Sequence, residues 1–229
     1  MKAKSTGLKI PKSKSKNSQK KPRLPHAERR ELILNQAADF FSEYGLTGQT
    51  RSLAAASGIS QRLLYRFFTT KAALLAEVYA RTILGPFRAD WLADLSDRSK
   101  PMETRLLDFY IDYYEIVLTR RWLRLFLYSS LADESMAPDY ISAIITKLME
   151  TIVIEIAADQ NVKLPNGAVI IHELGWTLHG TISHLAIRRH LYKASDSIDN
   201  ELIIRMHIRA FLGGFKDMVD TFSTNDPAQ

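Results

Sequence analysis

Residues 53–74 constrain the fold of this chain more than any other segment, and they read LAAASGISQRLLYRFFTTKAAL. Two helices that cross closely need small side chains at the crossing and, in the turn, a residue that tolerates a positive φ. The three alanines at 54–56 meet the first need, and Gly58 meets the second. The segment therefore predicts two short helices joined by a tight turn, which is a helix-turn-helix.

The second helix of this pair has two unlike faces. Ser60 is a good N-cap for it, and the 3.6-residue period places Leu64 and Phe68 on a face that packs against the first helix. The other face has no carboxylate and carries Gln61, Arg62, Tyr65 and Arg66. Arginine pairs with guanine, glutamine with adenine, and tyrosine can bond a phosphate. This face favours insertion into the DNA major groove, and an ordinary helical hairpin with a solvated face remains the alternative.

A helix is also predicted on each side of the pair. Upstream, residues 29–44 carry apolar side chains at helical spacing, and Gly45 is placed to end the helix. Downstream, Thr69 and Thr70 can cap a helix that begins near Lys71. A lysine at a helix start opposes the helix dipole, and a nearby phosphate would compensate for it. The hairpin is thus the second half of a three-helix unit.

With these residues the chain resembles the TetR family of one-component transcriptional repressors. The family's DNA-binding signature, I-A-x-x-A-G-V-S-x-x-x-L-Y-x-x-F-x-x-K-x-x-L, corresponds here to Leu53, Ala54, Ser57, Gly58, Ile59, Ser60, Leu64, Tyr65, Phe68, Lys71 and Leu74. The preceding helix fits the family pattern within one position, through Ala37, Phe40, Phe41 and Gly45. The resemblance implies a DNA-binding domain followed by a larger helical domain that binds an effector and dimerises.

The chain departs from the family pattern at positions that touch DNA. Gly48 and Gln49 stand where the family opens a helix with Thr-Thr, so the phosphate contact made there moves to Thr50 or is lost. The bulky pair of Arg62 and Leu63 implies an altered base readout. We expect bases to be read by Gln61, Arg62, Leu63 and Arg66. We expect phosphates to be held by Thr50, Arg51, Tyr65 and Lys71.

The positive charge of the chain is concentrated at its N-terminus. Nine of the 31 basic residues lie in residues 1–25, which contain no acid, so this tail accounts for the net charge of +6. Its Lys, Ser and Pro content predicts disorder over residues 1–24. The tail is either a basic arm that lies along phosphates or enters the minor groove, or a solvated extension.

The rest of the chain has a helical pattern. The first long helix of this part is expected to bend or split at Gly85 and Pro86. The expected helices lie near 71–94, 101–119, 121–132, 138–160, 166–190 and 199–222. Because the sequence has no strand alternation, we predict an all-α fold. A DNA-binding domain at 25–74 is followed by a helical effector-binding and dimerisation domain at 75–229.

Aromatic residues with polar tips crowd the C-terminal helices. Most of these aromatic residues must belong to the core. The resemblance, however, implies an effector cavity in this region. The concentration of aromatic side chains suits a small apolar or aromatic ligand. The residues that we expect to line it are Tyr110, Tyr114, Trp122, Phe126, His172, Trp176 and His179. The segment HELGW that starts at His172 lacks the second histidine of a zinc motif, so we expect no metal and no cofactor. No catalytic Ser/His/Asp spacing, phosphate loop or paired carboxylates are present, so we do not expect an enzyme.

The last two helices look like the dimer interface of the family. Each carries a long apolar stripe, and the adjacent Gly213 and Gly214 each cost about 1 kcal/mol of helix propensity. Close approach of a second subunit would justify that cost. We expect the homodimer contact at Leu178, Ile182, Leu185, Phe211 and Phe215. Packing of the same stripes within one subunit is the alternative.

Together these expectations describe a ligand-responsive repressor that a small apolar or aromatic effector releases from a near-palindromic operator on double-stranded DNA. The sequence has no cysteine and no run of ~20 apolar residues, so we expect no disulfide and no membrane span, and a cytoplasmic protein. The alternatives are a helix-turn-helix activator, a ligand-independent DNA organiser that uses the basic tail, and a helical ligand carrier that does not bind DNA.

Overall fold

The computed structural model describes residues 25–132, 139–194 and 198–224, and every regular element in these three parts is a helix. The basic tail at residues 1–24 lies outside the described residues. The helices are α1 (His26–Tyr44), α2 (Thr50–Ala56), α3 (Gln61–Phe67), α4 (Lys71–Tyr79), α5 (Asp90–Leu95), α6 (Met102–Ile116), α7 (Arg120–Leu131), α8 (Thr146–Asp159), α9 (Ala168–His190) and α10 (Asn200–Thr224). The predicted all-α fold is confirmed.

Four local signals set the helix boundaries of the N-terminal part. Gly45 follows α1 with a φ of +78°, and Gly58 turns the chain between α2 and α3 with a φ of +64°. Both lie in the left-handed region, which glycine enters without steric cost. The side-chain oxygens of Ser60 and Thr70 each accept a hydrogen bond from the backbone N–H three residues later, at 3.1 and 3.0 Å. These caps begin α3 and α4 where the sequence predicts them.

Helices α1 to α4 pack around one apolar cluster. Its most deeply buried members include Phe41, Leu53, Leu64 and Phe68, each at most 2% exposed. At the surface, Arg30 of α1 pairs with Glu77 of α4. Since exposed ion pairs contribute little, the apolar cluster is what fixes the orientation of α3 against α1.

The helix predicted over 71–94 is split at Gly85 and Pro86. After Tyr79, α4 continues as a π turn at Ala80–Leu84, which we call the hinge turn. The helix ends in a turn at Gly85 and Pro86, and α5 begins at Asp90. A second π turn, Ile141–Ile145, runs directly into α8. Such turns inside helices occur frequently at functional sites.

The C-terminal helices form a bundle in which α9 packs against α8 and α10, and α10 packs against α6. A charge network inside it joins α5, α6 and α8. Arg105 is 4% exposed and donates to Glu155 at 3.0 Å and to the Leu95 carbonyl at 2.6 Å. Hydrogen bonds from Arg98, and then from Arg105, hold the pKa of Glu155 below its usual value. None of the helices in the described ranges combines the length and the apolar character that crossing a membrane requires.

Candidate nucleic-acid interface and apolar cavity

The outer face of α3 presents the side chains that we expect to read bases. The side chain of Leu64 is buried in the apolar cluster and holds the helix against the domain. Leu63 is half-buried, and the exposed residues are Gln61, Arg62 and Arg66. Among the described residues, no carboxylate forms an ion pair with either arginine. Two guanidinium groups therefore project from one rigid helix, and such groups suit the acceptor pattern of guanine.

Three of the predicted DNA contacts form a hydrogen-bonded cluster among themselves. The Thr50 hydroxyl lies 3.0 Å from the Tyr65 hydroxyl and accepts a hydrogen bond from Gln61 Nε2 at 3.1 Å. Thr50 is itself buried, whereas Tyr65 is 40% exposed. The cluster joins the start of α2 to α3. The side-chain nitrogen of Gln61 is thus already hydrogen-bonded to Thr50. Tyr65 is exposed and is the member of the cluster that can contact DNA.

The N-terminus of α4 lies at the end of the helix-turn-helix and offers a site for an anion. Its first turn contains no acidic residue, and Lys71 is its first residue. The ammonium of Lys71 lies 5.8 Å from the centroid of the Phe41 ring. Backbone N–H groups of the first turn, the helix dipole and this lysine together favour a phosphate at this point. Arg51 at the start of α2 is also exposed.

An apolar cavity of about 120 Å³ lies in the C-terminal bundle, between α6, α7 and α9. Its aromatic lining comprises Tyr113, Trp122, Phe126, Tyr140 and Trp176. His179 and Ser183 add the polar atoms, and leucine and isoleucine side chains complete the wall. In the described residues, no group of three or more histidine or acidic side chains is placed to hold a metal ion.

Four of the seven residues expected in the pocket line this cavity: Trp122, Phe126, Trp176 and His179. The other three lie elsewhere. Tyr110 is fully buried beside Phe109, Tyr114 packs near His190, and His172 is half-buried nearer the start of α9. Tyr113 and Tyr140 take part in the lining, and sequence reasoning did not select them. The aromatic run of α6 was the available signal for Tyr113, but the run does not show which of its faces meets the cavity.

The described wall of the cavity carries no charge near neutral pH. Burial lowers the pKa of His179 to about 4, so its imidazole is neutral. Burial also raises the pKa of Tyr113, and the nearby Tyr140 hydroxyl raises it further. These two hydroxyl groups lie 3.2 Å apart and hydrogen-bond to each other. His179 Nδ1 is buried and has no hydrogen-bond partner among the described residues.

Helix α7 stands between the cavity and the DNA-binding helices. Its apolar face carries Trp122 into the cavity, and its basic face meets the end of α1. There Arg121 donates to Asp39 at 3.1 Å, Arg124 donates to the Glu43 carbonyl at 3.0 Å, and Arg120 pairs with the Glu43 carboxylate. A movement of α7 would therefore reach α1 directly.

Trp122 also connects the cavity to α4. Its indole Nε1 donates to the Ile83 carbonyl at 3.3 Å, and Ile83 belongs to the hinge turn. Both residues are buried. One side chain thus forms part of the cavity wall and is hydrogen-bonded to the segment that ends α4.

The five residues expected at the dimer contact lie inside the protomer, since Leu178, Ile182, Leu185, Phe211 and Phe215 are each at most 5% exposed. This is a correction to our expectation: their side chains pack within one chain and are not accessible to a second one. The open face of α10 instead carries Leu202 and Met206, which are 59% and 56% exposed. On that helix Gly213 and Gly214 face open space, as does Gly180 of α9.

Comparison with known proteins matches the N-terminal helices to a family model and the whole fold to solved structures. Residues 33–78 match the model described as bacterial regulatory proteins, tetR family. The fold is similar to that of a TetR-like transcriptional regulator from Rhodococcus sp. RHA1, with a TM-score of 0.64, 19% identity, and coverage of 84% of this chain and 100% of that one. No curated protein matches the chain in sequence.

Two further solved structures share the fold. The TetR family transcriptional regulator PfmR from Thermus thermophilus has a TM-score of 0.58 and 18% identity, and the match covers 79% of this chain and 97% of that one. A tetR-family transcriptional regulator from Streptomyces coelicolor has a TM-score of 0.53 and 17% identity, covering 89% and 92%. At identities below 20%, these similarities show a shared fold. They cover the C-terminal bundle as well as the N-terminal helices.

Proposed function

We propose that this chain, whose N-terminal domain belongs to the TetR family of bacterial regulatory proteins, is a ligand-responsive homodimeric transcriptional repressor. A small apolar or aromatic effector in the cavity releases it from a near-palindromic operator. The outer face of α3 is the observation that carries this proposal. Arg62 and Arg66 project from it with no carboxylate partner in the described part of the chain, close in sequence to the acid-free start of α4. Such a surface suits base edges and phosphates.

On DNA, the α3 helices of the two subunits enter successive major grooves about one helical turn apart. Arg62 and Arg66 read base edges, with Gln61 and Leu63 beside them. Phosphates are held by Tyr65, Lys71 and Arg51. Because Thr50 is buried and bonded to Tyr65, its role is to position that tyrosine, which makes the outward contact.

The effector acts by favouring a conformation in which the two recognition helices no longer fit the operator. Two contacts support transmission from the cavity. Trp122 holds the hinge turn through the Ile83 carbonyl, and Arg121 and Arg124 of α7 hold the end of α1. A preference of a few kcal/mol for the released conformation is sufficient to empty an operator.

A gel shift of the purified full chain with DNA from upstream of its own gene tests the proposal. A discrete footprint over a near-palindrome, lost on addition of a cavity ligand, is the expected result. Broad coverage without a palindrome would instead support a DNA organiser, and no shift at any salt concentration would contradict DNA binding altogether.

Replacing Lys71 with Ala is expected to weaken binding to operator and to random DNA by the same factor. The reason is that a phosphate contact carries no sequence information. The slope of log affinity against log salt should fall by about one unit. Fluorescence anisotropy over a salt series measures both quantities. Lys147→Ala removes an exposed lysine from α8 and serves as the control. An unchanged slope in Lys71→Ala would show that this lysine does not contact a phosphate.

Replacing Met206 with Glu is expected to weaken the dimer at least tenfold, because it places a charge on the open apolar face of α10. Sedimentation velocity at micromolar concentration measures the change. Ile154→Glu makes the same kind of substitution at an exposed apolar position of α8, and this variant should stay dimeric. If the two variants behave alike, the contact lies on another surface.

A further inference from the structure

We infer that the cavity beside α7 binds a neutral molecule of single-ring size that carries one hydroxyl group, a phenol being the simplest case, and that His179 hydrogen-bonds to that group. The inference rests on the proposed function at one point, which is that this molecule acts as the effector. The binding itself is a property of the cavity and can be measured without DNA.

The size of the cavity limits the ligand to about one ring. Its volume is about 120 Å³. An apolar protein cavity of roughly 150 Å³ stays dry and binds benzene. A fused polycyclic molecule or a long acyl chain would need the helices to separate, whereas a monocyclic ring needs little rearrangement.

The shape of the wall favours an aromatic ring. Trp122 and Phe126 are stacked, with ring centroids 4.7 Å apart and an interplanar angle of 13°. Tyr140 meets both rings edge-on, at 5.3 and 5.9 Å. The wall is therefore built of rings that meet one another stacked and edge-on, which are the arrangements that aromatic groups prefer. A flat ring gains edge-to-face contacts here that a branched aliphatic molecule does not.

The chemistry of the wall excludes an ionised ligand. The described lining contains no lysine, arginine, aspartate or glutamate. Its histidine is neutral near pH 7, so it supplies no counter-charge. Transfer of a carboxylate or phosphate from water into such a site is strongly unfavourable without a partner. Benzoates and acyl phosphates of the same size are thus excluded by charge.

A buried polar atom of the described cavity lining has no partner, and it fixes the ligand's polar group. His179 is 3% exposed, and its Nδ1 has no hydrogen-bond partner among the described residues. The hydroxyl groups of Tyr113 and Tyr140 are already paired with each other. A ligand hydroxyl both donates and accepts, so it satisfies the imidazole in either tautomer. A buried group that lacks a partner is a strong determinant of specificity, because the wrong ligand leaves it unpaired.

The test titrates the purified full chain with three para-substituted rings of similar size: p-cresol, toluene and p-toluate. Two tryptophans, Trp122 and Trp176, line the cavity and report binding through their fluorescence. We expect p-cresol to bind saturably, toluene to bind about fivefold more weakly because it lacks one hydrogen bond, and p-toluate not to bind. Tight binding of p-toluate, or equal affinity for p-cresol and toluene, would overturn the inference.

Substitutions of His179 test the polar contact. His179→Phe should bind toluene and p-cresol equally, while His179→Gln keeps a hydrogen-bonding amide and should retain the preference for p-cresol. His184→Phe alters an exposed histidine on the same helix and is the matched control. A preference for p-cresol that survives in His179→Phe would contradict the assignment. If His179→Phe does not fold, the smaller apolar side chain of His179→Leu replaces it, with the same expectation of equal affinities.

The results of these titrations and of the operator-binding assay distinguish the identity of the ligand from its role as an effector. If p-cresol binds but does not release the operator, the ligand assignment stands and its role as effector fails. If the operator is bound and none of the three rings binds, the ligand assignment fails and the DNA-binding function stands.

Discussion

Replacing both Arg62 and Arg66 with Ala is expected to lower operator affinity by roughly 30-fold to 10⁴-fold, since each bidentate contact with a guanine contributes about 1–3 kcal/mol. Both side chains are exposed on α3, and Leu64 of the same helix is buried against the domain core. The substitutions therefore remove the base-reading groups and leave the helix in place. Anisotropy titrations against operator and random DNA of equal length measure the loss of affinity and the loss of specificity together.

The matched control removes two positive charges from elsewhere on the surface. Lys147→Ala with Lys163→Ala changes the net charge equally, at exposed positions outside the helix-turn-helix. The control should keep the ratio of operator to random affinity, and the α3 double variant should bring that ratio close to one. If the ratio survives in the α3 variant, bases are read by other residues and the assignment of α3 is incorrect.

Local signals made the DNA-binding part predictable from sequence. Gly45, Gly58, Ser60 and Thr70 act on their own backbone within a few residues, so their effects do not depend on the rest of the fold. The same is true of the buried face of α3. The hydrogen-bonded cluster around Thr50 was not predicted, because it depends on how α2 and α3 cross.

The larger domain was less predictable because its features depend on how long helices are rotated about their axes. An apolar stripe shows that a face is buried, but not whether its partner belongs to the same chain. For this reason Leu178 and Phe215 were expected at the dimer contact, although they pack inside the protomer. Tyr113 reaches the cavity and its neighbour Tyr114 does not, which is likewise decided by helix rotation.

The ionic contacts between α7 and α1 could not be predicted from sequence for a related reason. Arg121 and Arg124 bond to the end of α1, which lies far earlier in the chain. The sequence shows three arginines near the start of α7, but this pattern is equally typical of a solvated helix face. Only their placement in the fold identifies α7 as a connection between the cavity and the DNA-binding helices.

Replacing Trp122 with Phe is expected to uncouple ligand binding from operator release. Phenylalanine keeps an aromatic ring in the cavity wall but lacks the indole N–H that donates to the Ile83 carbonyl of the hinge turn. Ligand affinity and operator affinity should each stay within about threefold of the parent values. The ligand-induced loss of operator affinity should shrink by about fivefold or more, because a hydrogen bond of about 1 kcal/mol is a large part of a typical coupling energy of about 1–3 kcal/mol.

Anisotropy titrations of the operator with and without saturating ligand measure this coupling. Trp176→Phe is the matched control, because it makes the same substitution in the wall of the same cavity, on α9. The control should also keep ligand affinity within about threefold and should leave coupling unchanged, since both tryptophans line the cavity but it is Trp122 whose indole N–H bonds to the hinge turn after α4. Equal coupling in both variants would mean that the signal passes through the basic face of α7 to α1, and Arg121→Ala would then become the variant that uncouples the two sites.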